Sequence, residues 1–256
     1  MSPDQHPRMP LASSERLRLG DLHPGPRARL TAALYSLWSE YFVGADIHTF
    51  TKTHIYEDTR LILGFGPGGD LAAFANLNVY ALQVGTRRQR VITSGLFIRQ
   101  DYRATAQMVQ LGTREGLRIW SEHPTQPLGV LTLATHPLSF SAMSRLIRQF
   151  YPHPECETPS EIVETMHTIA RLRNLPVDPK DPFLIRFPAR SRHPDRIRAS
   201  RTYRRGGPAI DRFESRAPDW AEGQALMVYM PFNTTNVRGV IRQLPAAVRA
   251  RLHRRS

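Results

Sequence analysis

A strand, a short turn and a helix follow one another directly within Val91–Trp120. The apolar, β-branched residues that begin at Val91 predict the strand, and the apolar spacing over 103–122 predicts the helix. The turn between them contains Tyr102 and Arg103. A helix that begins immediately after a strand presents free backbone N–H groups and its positive end to a ligand. The segment therefore predicts a phosphate-binding turn.

The same segment resembles the GCN5-related N-acetyltransferase (GNAT) superfamily. The family pattern of a strand, a Tyr-Arg pair and a glycine-rich turn before a helix is matched at 98–108 by IRQDYRATAQM. The resemblance implies that residues 103–108 bind the pyrophosphate of coenzyme A, and that the backbone of Phe97 and Arg99 polarises the thioester carbonyl. The donor-binding residues that it implies are Phe97, Ile98, Arg99, Arg103, Ala104, Thr105, Ala106, Gln107 and Met108.

The chain departs from the family pattern at three positions. The two loop glycines of the family fall on Ala106 and Met108, and the tyrosine that serves as general acid falls near Met143. A methionine side chain stands where glycine lets the phosphate approach, and methionine cannot donate a proton. These departures indicate either a donor that binds differently or a site that has lost catalysis.

A smaller group of proteins also resembles the chain. The sequences YF at 41–42, GF at 64–65 and THPLSFSAM at 135–143, with a helix predicted from Thr158-Pro159, are similar to N-acyltransferases related to acyl-homoserine-lactone synthases and N-acyl amino acid synthases. This resemblance implies the same fold and, often, an acyl-carrier protein as donor. Carrier proteins are acidic, so a net charge of +13 suits such a partner.

Three residues are candidates for proton transfer to or from an acceptor amine. His136 follows the apolar strand predicted at 128–135, where the resemblance places the thioester. His54 and Glu57 lie in the polar stretch 45–59, which the resemblance places at the acceptor site. An imidazole or a carboxylate can act as a general acid or base. The alternatives are an ordinary solvent-facing His136 and a solvated loop that contains His54 and Glu57.

The positive charge is carried almost entirely by arginine. The sequence has 35 basic residues, of which only Lys52 and Lys180 are lysines. A high-GC genome accounts for part of this excess but not for its clustering. Eight arginines lie within 186–205: Arg186, Arg190, Arg192, Arg196, Arg198, Arg201, Arg204 and Arg205. The cluster suits the 3′-phosphate of coenzyme A, an acidic carrier protein or RNA, and a solvated loop is the plainer interpretation.

Several classes of protein are excluded or disfavoured. The single cysteine, Cys156, excludes an internal disulfide framework and a paired-cysteine zinc site. Two glutamates flank it, and negative charge beside a thiol disfavours the thiolate that a covalent acyl-cysteine requires. No apolar run reaches the ~18 residues that a membrane span needs, and the N-terminus has no signal pattern. We therefore expect a cytoplasmic protein without a metal or a membrane span.

The order of the predicted elements indicates one α/β (α+β) domain with a mixed, mostly antiparallel central sheet flanked by helices. Residues 1–26 are predicted to be a disordered or loosely ordered tail, and 27–256 to be the acetyltransferase-like domain. The domain begins with a helix at 27–42, contains a basic, irregular excursion at 189–218 and ends with a helix capped by Asn233.

Two functions remain open. The first is an N-acyltransferase that passes an acyl group from acyl-CoA or an acyl-carrier protein to a small-molecule amine by direct attack. The second is a non-catalytic binding module of the same fold that docks RNA or an acidic protein through the arginines at 186–205. The sequence leaves the acyl chain, the acceptor and the oligomeric state undetermined.

Overall fold

The structure is a computed structural model that describes residues 9–102, 105–153 and 155–243. Its strands are β1 (Ser13–Arg18), β2 (Phe42–Val43), β3 (Arg60–Phe65), β4 (Leu71–Val84), β5 (Arg87–Ile98), β6 (Leu128–Ala134), β7 (Leu184–Arg186), β8 (Arg190–Ser191) and β9 (Gln224–Pro231). Its helices are α1 (Pro24–Trp38), α2 (Ile47–His54), α3 (Thr105–Glu122), α4 (Pro137–Leu146), α5 (Ser160–Leu172), α6 (Pro194–Ala199), α7 (Arg201–Arg204), α8 (Pro208–Arg216) and α9 (Thr234–Gln243).

Seven strands form one sheet in the order β1-β3-β4-β5-β6-β9-β7. All neighbouring pairs are antiparallel except β5 and β6, which run parallel. Helix α3 packs on one face of the sheet through Met108 and Ile119. Helices α1 and α5 pack on the other face, where Trp38 and Met166 are buried. The predicted fold class, a mostly antiparallel α/β sheet flanked by helices, is confirmed.

Hydrophobic patterning located most of these elements. The strands predicted at 60–65 and 71–84 are β3 and β4 with the same bounds, and the helix predicted at 103–122 is α3. The last helix begins after Asn233, as predicted. Asn233 caps it, since its Oδ1 accepts the backbone N–H of Asn236 at 3.0 Å. No helix in the described part of the chain is long and apolar enough to cross a membrane.

The prediction of a tail at 1–26 is wrong for the described residues 9–26. Strand β1 pairs with β3 at the edge of the sheet, and Leu11 is buried against Gly64. Most side chains of β1 are exposed, so the strand has no apolar alternation that the sequence could reveal. Strand β1 is therefore stabilised by its backbone pairing with β3 rather than by burial of its own side chains.

The first helix is displaced from its predicted bounds of 27–42. It begins at Pro24, which occupies a favoured first position, and it ends at Trp38. Phe42 continues the apolar spacing of the helix, but it leaves the helix and pairs with Ser191 as β2. The aromatic spacing therefore predicted correctly that Phe42 is buried, but it predicted wrongly that the helix extends to Phe42.

The excursion at 189–218 is ordered rather than irregular. It forms β8 and the three helices α6, α7 and α8. Phe213 of α8 and Trp220, which follows that helix, are fully buried together with Phe140 of α4. These apolar anchors fix the arginine-rich segment against α4, which is the helix that follows β6.

Candidate functional site

A gap opens in the sheet between the parallel strands β5 and β6. Their pairing runs from Arg90↔Leu128 and ends at Ser94↔Thr132. Beyond this point β5 stays paired with β4 as far as Ile98, whereas β6 stays paired with β9 as far as Ala134. Beyond this point each strand keeps its outer neighbour and loses its inner one, so no strand of the described residues lies beside the inner edge of β5.

The backbone groups that face the gap belong to Leu96 and Ile98. The N–H of Arg99 donates to Ala72 O at 2.8 Å, on the β4 side, and strand backbone groups alternate in direction. Phe97 therefore also faces β4. The prediction that the backbone N–H groups of Phe97 and Arg99 contact the thioester carbonyl is wrong, because those groups are directed to β4. Ile98, also among the predicted residues, does face the gap.

A tyrosine hydroxyl lies at this edge. The hydroxyl of Tyr41, which follows α1, donates a hydrogen bond to Ile98 O. Its ring contacts Phe97 at a centroid distance of 6.3 Å. Burial, assisted by the charge of Glu40, raises the pKa of Tyr41 to about 12. Tyr41 therefore keeps its proton at neutral pH and can donate it or a hydrogen bond.

Helix α3 begins close to the end of β5, with seven positions from Ile98 to Thr105. The Met108 side chain is 1% exposed and packs into the sheet, so it points away from the free N–H groups of the first helical turn. Ala106 and Gln107 lie in that turn, half-buried. Arg103 and Ala104 lie outside the described residues, and nothing is described of the Thr105 side chain.

The α3 face also carries an exposed apolar side chain beside the gap. Leu96 pairs with Ala75, and Ala75 belongs to the core beneath α3. The Leu96 side chain is nevertheless 40% exposed. A ligand lying between the start of α3 and the gap would cover it.

His136 caps helix α4. Its Nδ1 accepts the backbone N–H of Ser139 at 3.2 Å, and burial lowers its pKa to about 4. Because Nδ1 accepts, the proton of the neutral ring is on Nε2. The ring therefore offers an N–H donor at the end of β6 and is a poor general base there.

His54 lies in the core rather than in a solvated loop. It ends α2 and is 6% exposed. Its ring contacts Trp38, Phe50, Phe97 and Phe187 at centroid distances of 5.2–5.9 Å. Burial, with the nearby charge of Arg173, lowers the pKa of His54 to about 3. At neutral pH it is an uncharged and weak base.

The other polar residues of 45–59 do not form an acid–base site with His54. The Glu57 carboxylate is exposed in the turn before β3. Asp46 is the N-cap of α2, where its Oδ1 accepts the Thr49 N–H at 2.8 Å. Hydrogen bonds from Thr49 hold the pKa of Asp46 below its usual value. Asp46 thus stabilises the helix that positions His54.

The side chains of four arginines in the 186–205 cluster contact other groups, whereas the other four are exposed. Arg192 donates from Nε to Ser39 O at 2.6 Å, and Arg190 pairs with Glu222 at 3.5 Å. Arg186 donates to Glu222 O at 3.1 Å, and Arg198 lies over the Trp220 ring. Four arginines are exposed, and their side chains have no ion-pair or hydrogen-bond partner among the described residues: Arg196, Arg201, Arg204 and Arg205.

One of the four exposed arginines, Arg196, interacts electrostatically with Tyr41 at the edge of the gap. The charge of Arg196 acts on the Tyr41 hydroxyl, whose pKa it lowers against the larger effect of burial. Arg196 belongs to α6, and Tyr41 contacts the edge of β5. Arg196 is therefore the exposed arginine whose charge reaches Tyr41, and the other three lie on and directly after α7.

The described residues contain no group of three or more His, Cys, Asp or Glu side chains that could hold a metal ion. Cys156 is exposed. Met143, near which the resemblance places a tyrosine, packs at the edge of the Phe140 cluster. The residue that sequence reasoning missed is Tyr41, whose contact with Ile98 spans 57 positions and leaves no local signal.

The sequence matches no protein-family model and no curated protein. Among solved structures it is similar to TofI in a ternary complex with an inhibitor and MTA, at 12% identity and a TM-score of 0.40, over 92% of this chain and 99% of that one. It is also similar to ElaA of Escherichia coli, at 15% identity and a TM-score of 0.34, over 57% and 92% of the two chains. A third similar structure is that of a protein described as a candidate phosphinothricin N-acetyltransferase. It gives 12% identity and a TM-score of 0.33, over 57% of this chain and 90% of that one.

The order and direction of the chain's own elements define the fold. An antiparallel meander leads to β5, a helix follows at once, and the parallel strand β6 lies beside β5 and diverges from it. This is the order that the resemblance implied. The fold is GNAT-like, and the gap with the start of α3 is its candidate functional site.

Proposed function

We propose that the protein is an N-acyltransferase that transfers an acyl group from a thioester to an amine. The observation that carries this proposal is the unpaired inner edge of β5 at Leu96 and Ile98, with the first turn of α3 close by. A strand edge without a neighbour offers N–H groups that can polarise a thioester carbonyl. The free N–H groups of a helix start suit the phosphates of the donor.

In the proposed reaction the acceptor amine attacks the thioester carbonyl directly. The carbon–nitrogen bond forms, the carbon–sulfur bond breaks, and the amine proton is transferred to the departing thiolate or to water. Holding both reactants in contact supplies much of the rate enhancement. The Tyr41 hydroxyl is our candidate for the group that stabilises the thiolate by a hydrogen bond or gives it a proton, and in the second case Tyr41 regains its proton from the amine. Our candidate for a further hydrogen-bond donor is His136 through Nε2.

The donor is proposed to be acyl-CoA or an acyl-carrier protein. The exposed arginines Arg201, Arg204 and Arg205 on and after α7 favour the carrier protein, because its surface is acidic. The alternative function, a module that docks RNA or an acidic protein without catalysis, uses the same arginines. The two functions differ in whether a thioester is consumed.

The test measures thiol release and acylated product with acyl-CoA and with acyl-carrier protein, in a mixture of primary amines. A variant with Arg201, Arg204 and Arg205 all changed to Glu serves as the comparison. We expect wild-type protein to release thiol with at least one donor. If the carrier protein is the donor, the variant loses that reaction and keeps any reaction with acyl-CoA.

Two results would decide against the proposal. One is the absence of thiol release with every donor while the protein remains folded. The other is RNA binding that falls steeply with salt and disappears in the arginine variant, without turnover of any thioester. The second result would establish the binding module.

A further inference from the structure

Arg173 is a buried cation that has no acidic partner within the described residues. It follows α5, is 8% exposed, and donates from Nη2 to the backbone carbonyl of Thr53 at 2.7 Å. Its Nε is buried and makes no hydrogen bond within the described part of the chain. No carboxylate of the described residues lies within ion-pairing distance of it. Buried arginines are rarely left in this condition, because an uncompensated charge is costly to bury.

Other polar atoms around Arg173 also lack partners. Arg173 is near enough to His54 to lower its pKa, and it also acts on the Tyr80 hydroxyl. His54 Nε2 is buried and makes no hydrogen bond with any residue that the structure describes. The hydroxyls of Tyr80, Tyr56 and Thr93 are buried beside one another, and among the described residues their contacts are with each other alone.

The floor of this region is formed by β4 and β5. Asn78 pairs with Thr93, and Asn76 pairs with Gly95. The amides of Asn76 and Asn78 both donate to His54 O, at 3.0 and 3.1 Å. Asn76 Oδ1 accepts no hydrogen bond from the described residues, and it lies 2.8 Å from the position that a Cβ on Gly95 would occupy. Glycine at this position thus leaves space above β5 that the Asn76 amide enters.

We propose that these residues form a binding site for a small molecule that carries a carboxylate, with Arg173 as its counter-ion. Native proteins satisfy almost all buried polar groups, and a cluster of exceptions calls for a missing partner. The one charged group among these unsatisfied atoms is the Arg173 guanidinium, and the hydroxyls near it can also donate hydrogen bonds. An oxyanion would satisfy Arg173 Nε and the hydroxyls together.

The site lies beside the gap but is distinct from it. Gly95 follows Ser94, the last residue of β5 that pairs with β6. The unpartnered atoms lie on the α1 and α5 face, because Asn76 shares that face with the buried Phe74, whereas Leu96 and Met108 lie toward α3. A molecule held by Arg173 would therefore lie across the sheet from the proposed thioester site. Binding of a carboxylate at Arg173 can therefore be measured in the absence of a thioester.

The experiment measures the unfolding temperature in acetate, glycine and inorganic phosphate against chloride at constant ionic strength. A ligand that binds only the folded protein raises its stability as the ligand concentration increases. We expect acetate or glycine to raise the unfolding temperature of the wild type. Arg173→Met should remove this response, and Arg171→Met, at an exposed arginine on the same helix, should preserve it.

A second pair of measurements separates binding from folding. If Arg173 serves a ligand, Arg173→Met leaves the ligand-free protein as stable as the wild type or more stable, since it removes an uncompensated charge. Thr93→Val keeps the shape of the side chain and removes one hydroxyl, so it should weaken the response to acetate or glycine even if Arg173→Met does not fold. Responses that are absent with both carboxylates, identical in Thr93→Val and wild type, or confined to phosphate would overturn the proposal.

Discussion

Ser94 and Thr132 form the last pair between β5 and β6, and the Thr132 hydroxyl donates to Ser94 O at 3.0 Å. This hydrogen bond lies at the point where the two parallel strands separate. Beyond it the backbone of β5 is left with a free edge, which makes the site possible. The Ser94–Thr132 pair therefore fixes the position at which the two strands separate and the gap begins.

Replacing Thr132 by Val tests this role of the pair. The variant keeps the shape of the side chain and removes its hydrogen bond to Ser94 O, so we expect a loss of about 1 kcal/mol in the free energy of unfolding. Thioester binding should weaken because the inner end of the gap is less fixed. Chemical denaturation and a donor titration measure the two effects. Thr31→Val, in α1, is the control for loss of a threonine hydroxyl. Equal donor affinity in Thr132→Val and wild type would contradict the assigned role.

Tyr41→Phe tests the hydroxyl at the free edge. We expect kcat to fall by about 100-fold or more if the hydroxyl protonates or stabilises the thiolate, while the affinity for the donor stays within a few-fold of wild type. Steady-state kinetics give the first quantity and a binding titration the second. Tyr35→Phe is the matched control, since its hydroxyl donates to Ala45 O in the same part of the fold. An unchanged kcat in Tyr41→Phe would remove Tyr41 from the reaction.

The buried histidines predict a dependence of stability on pH. Burial lowers the pKa of His54 to about 3 and that of His136 to about 4, below the value of ~6.5 in an unfolded chain. Between these values the unfolded state binds more protons, so stability is complete above about pH 6.5 and is lost as the pH falls toward 4. Each histidine contributes a slope of about 1.4 kcal/mol per pH unit within its window. Denaturation at pH 7, 6 and 5 measures it, and His54→Gln should remove one of the two contributions.

Two glycines of α3 predict opposite effects on stability. A Cβ on Gly116 would meet the Phe232 ring at 2.6 Å, whereas a Cβ on Gly112 would meet nothing within 4 Å. Gly112→Ala should therefore stabilise the protein by about 0.5–1 kcal/mol through helix propensity. Gly116→Ala should destabilise it, because Phe232 must move. Thermal unfolding of the two variants provides the comparison, and a stabilising Gly116→Ala would show that α3 packs differently.

The sequence predicted the elements well because their apolar periods are local. The bounds of β4 and the position of α3 follow from residues within each segment. The edge strand β1 was missed because its stability comes from pairing with β3. The ordered excursion was missed because its arginines outnumber the apolar anchors Phe213 and Trp220.

The site was predicted less completely because its geometry depends on distant partners. Which N–H groups of β5 face the gap is decided by the register with β4, as the Arg99 bond to Ala72 shows. The position of Tyr41 depends on where α1 ends. The burial of Arg173 depends on its contact with Thr53, 120 positions away. No spacing in the sequence carries these relationships.

Backbone hydrogen exchange on addition of a non-hydrolysable acyl-CoA analogue tests the central claim most directly. The N–H groups of Leu96 and Ile98 face the gap without a strand partner, and those of Ala106 and Gln107 lie in the first turn of α3. We predict that a saturating analogue slows exchange at these four positions more than at Phe97 and Arg99, which face β4. Bound analogue that leaves all four rates unchanged, or that protects a different region, would contradict a thioester site at the gap.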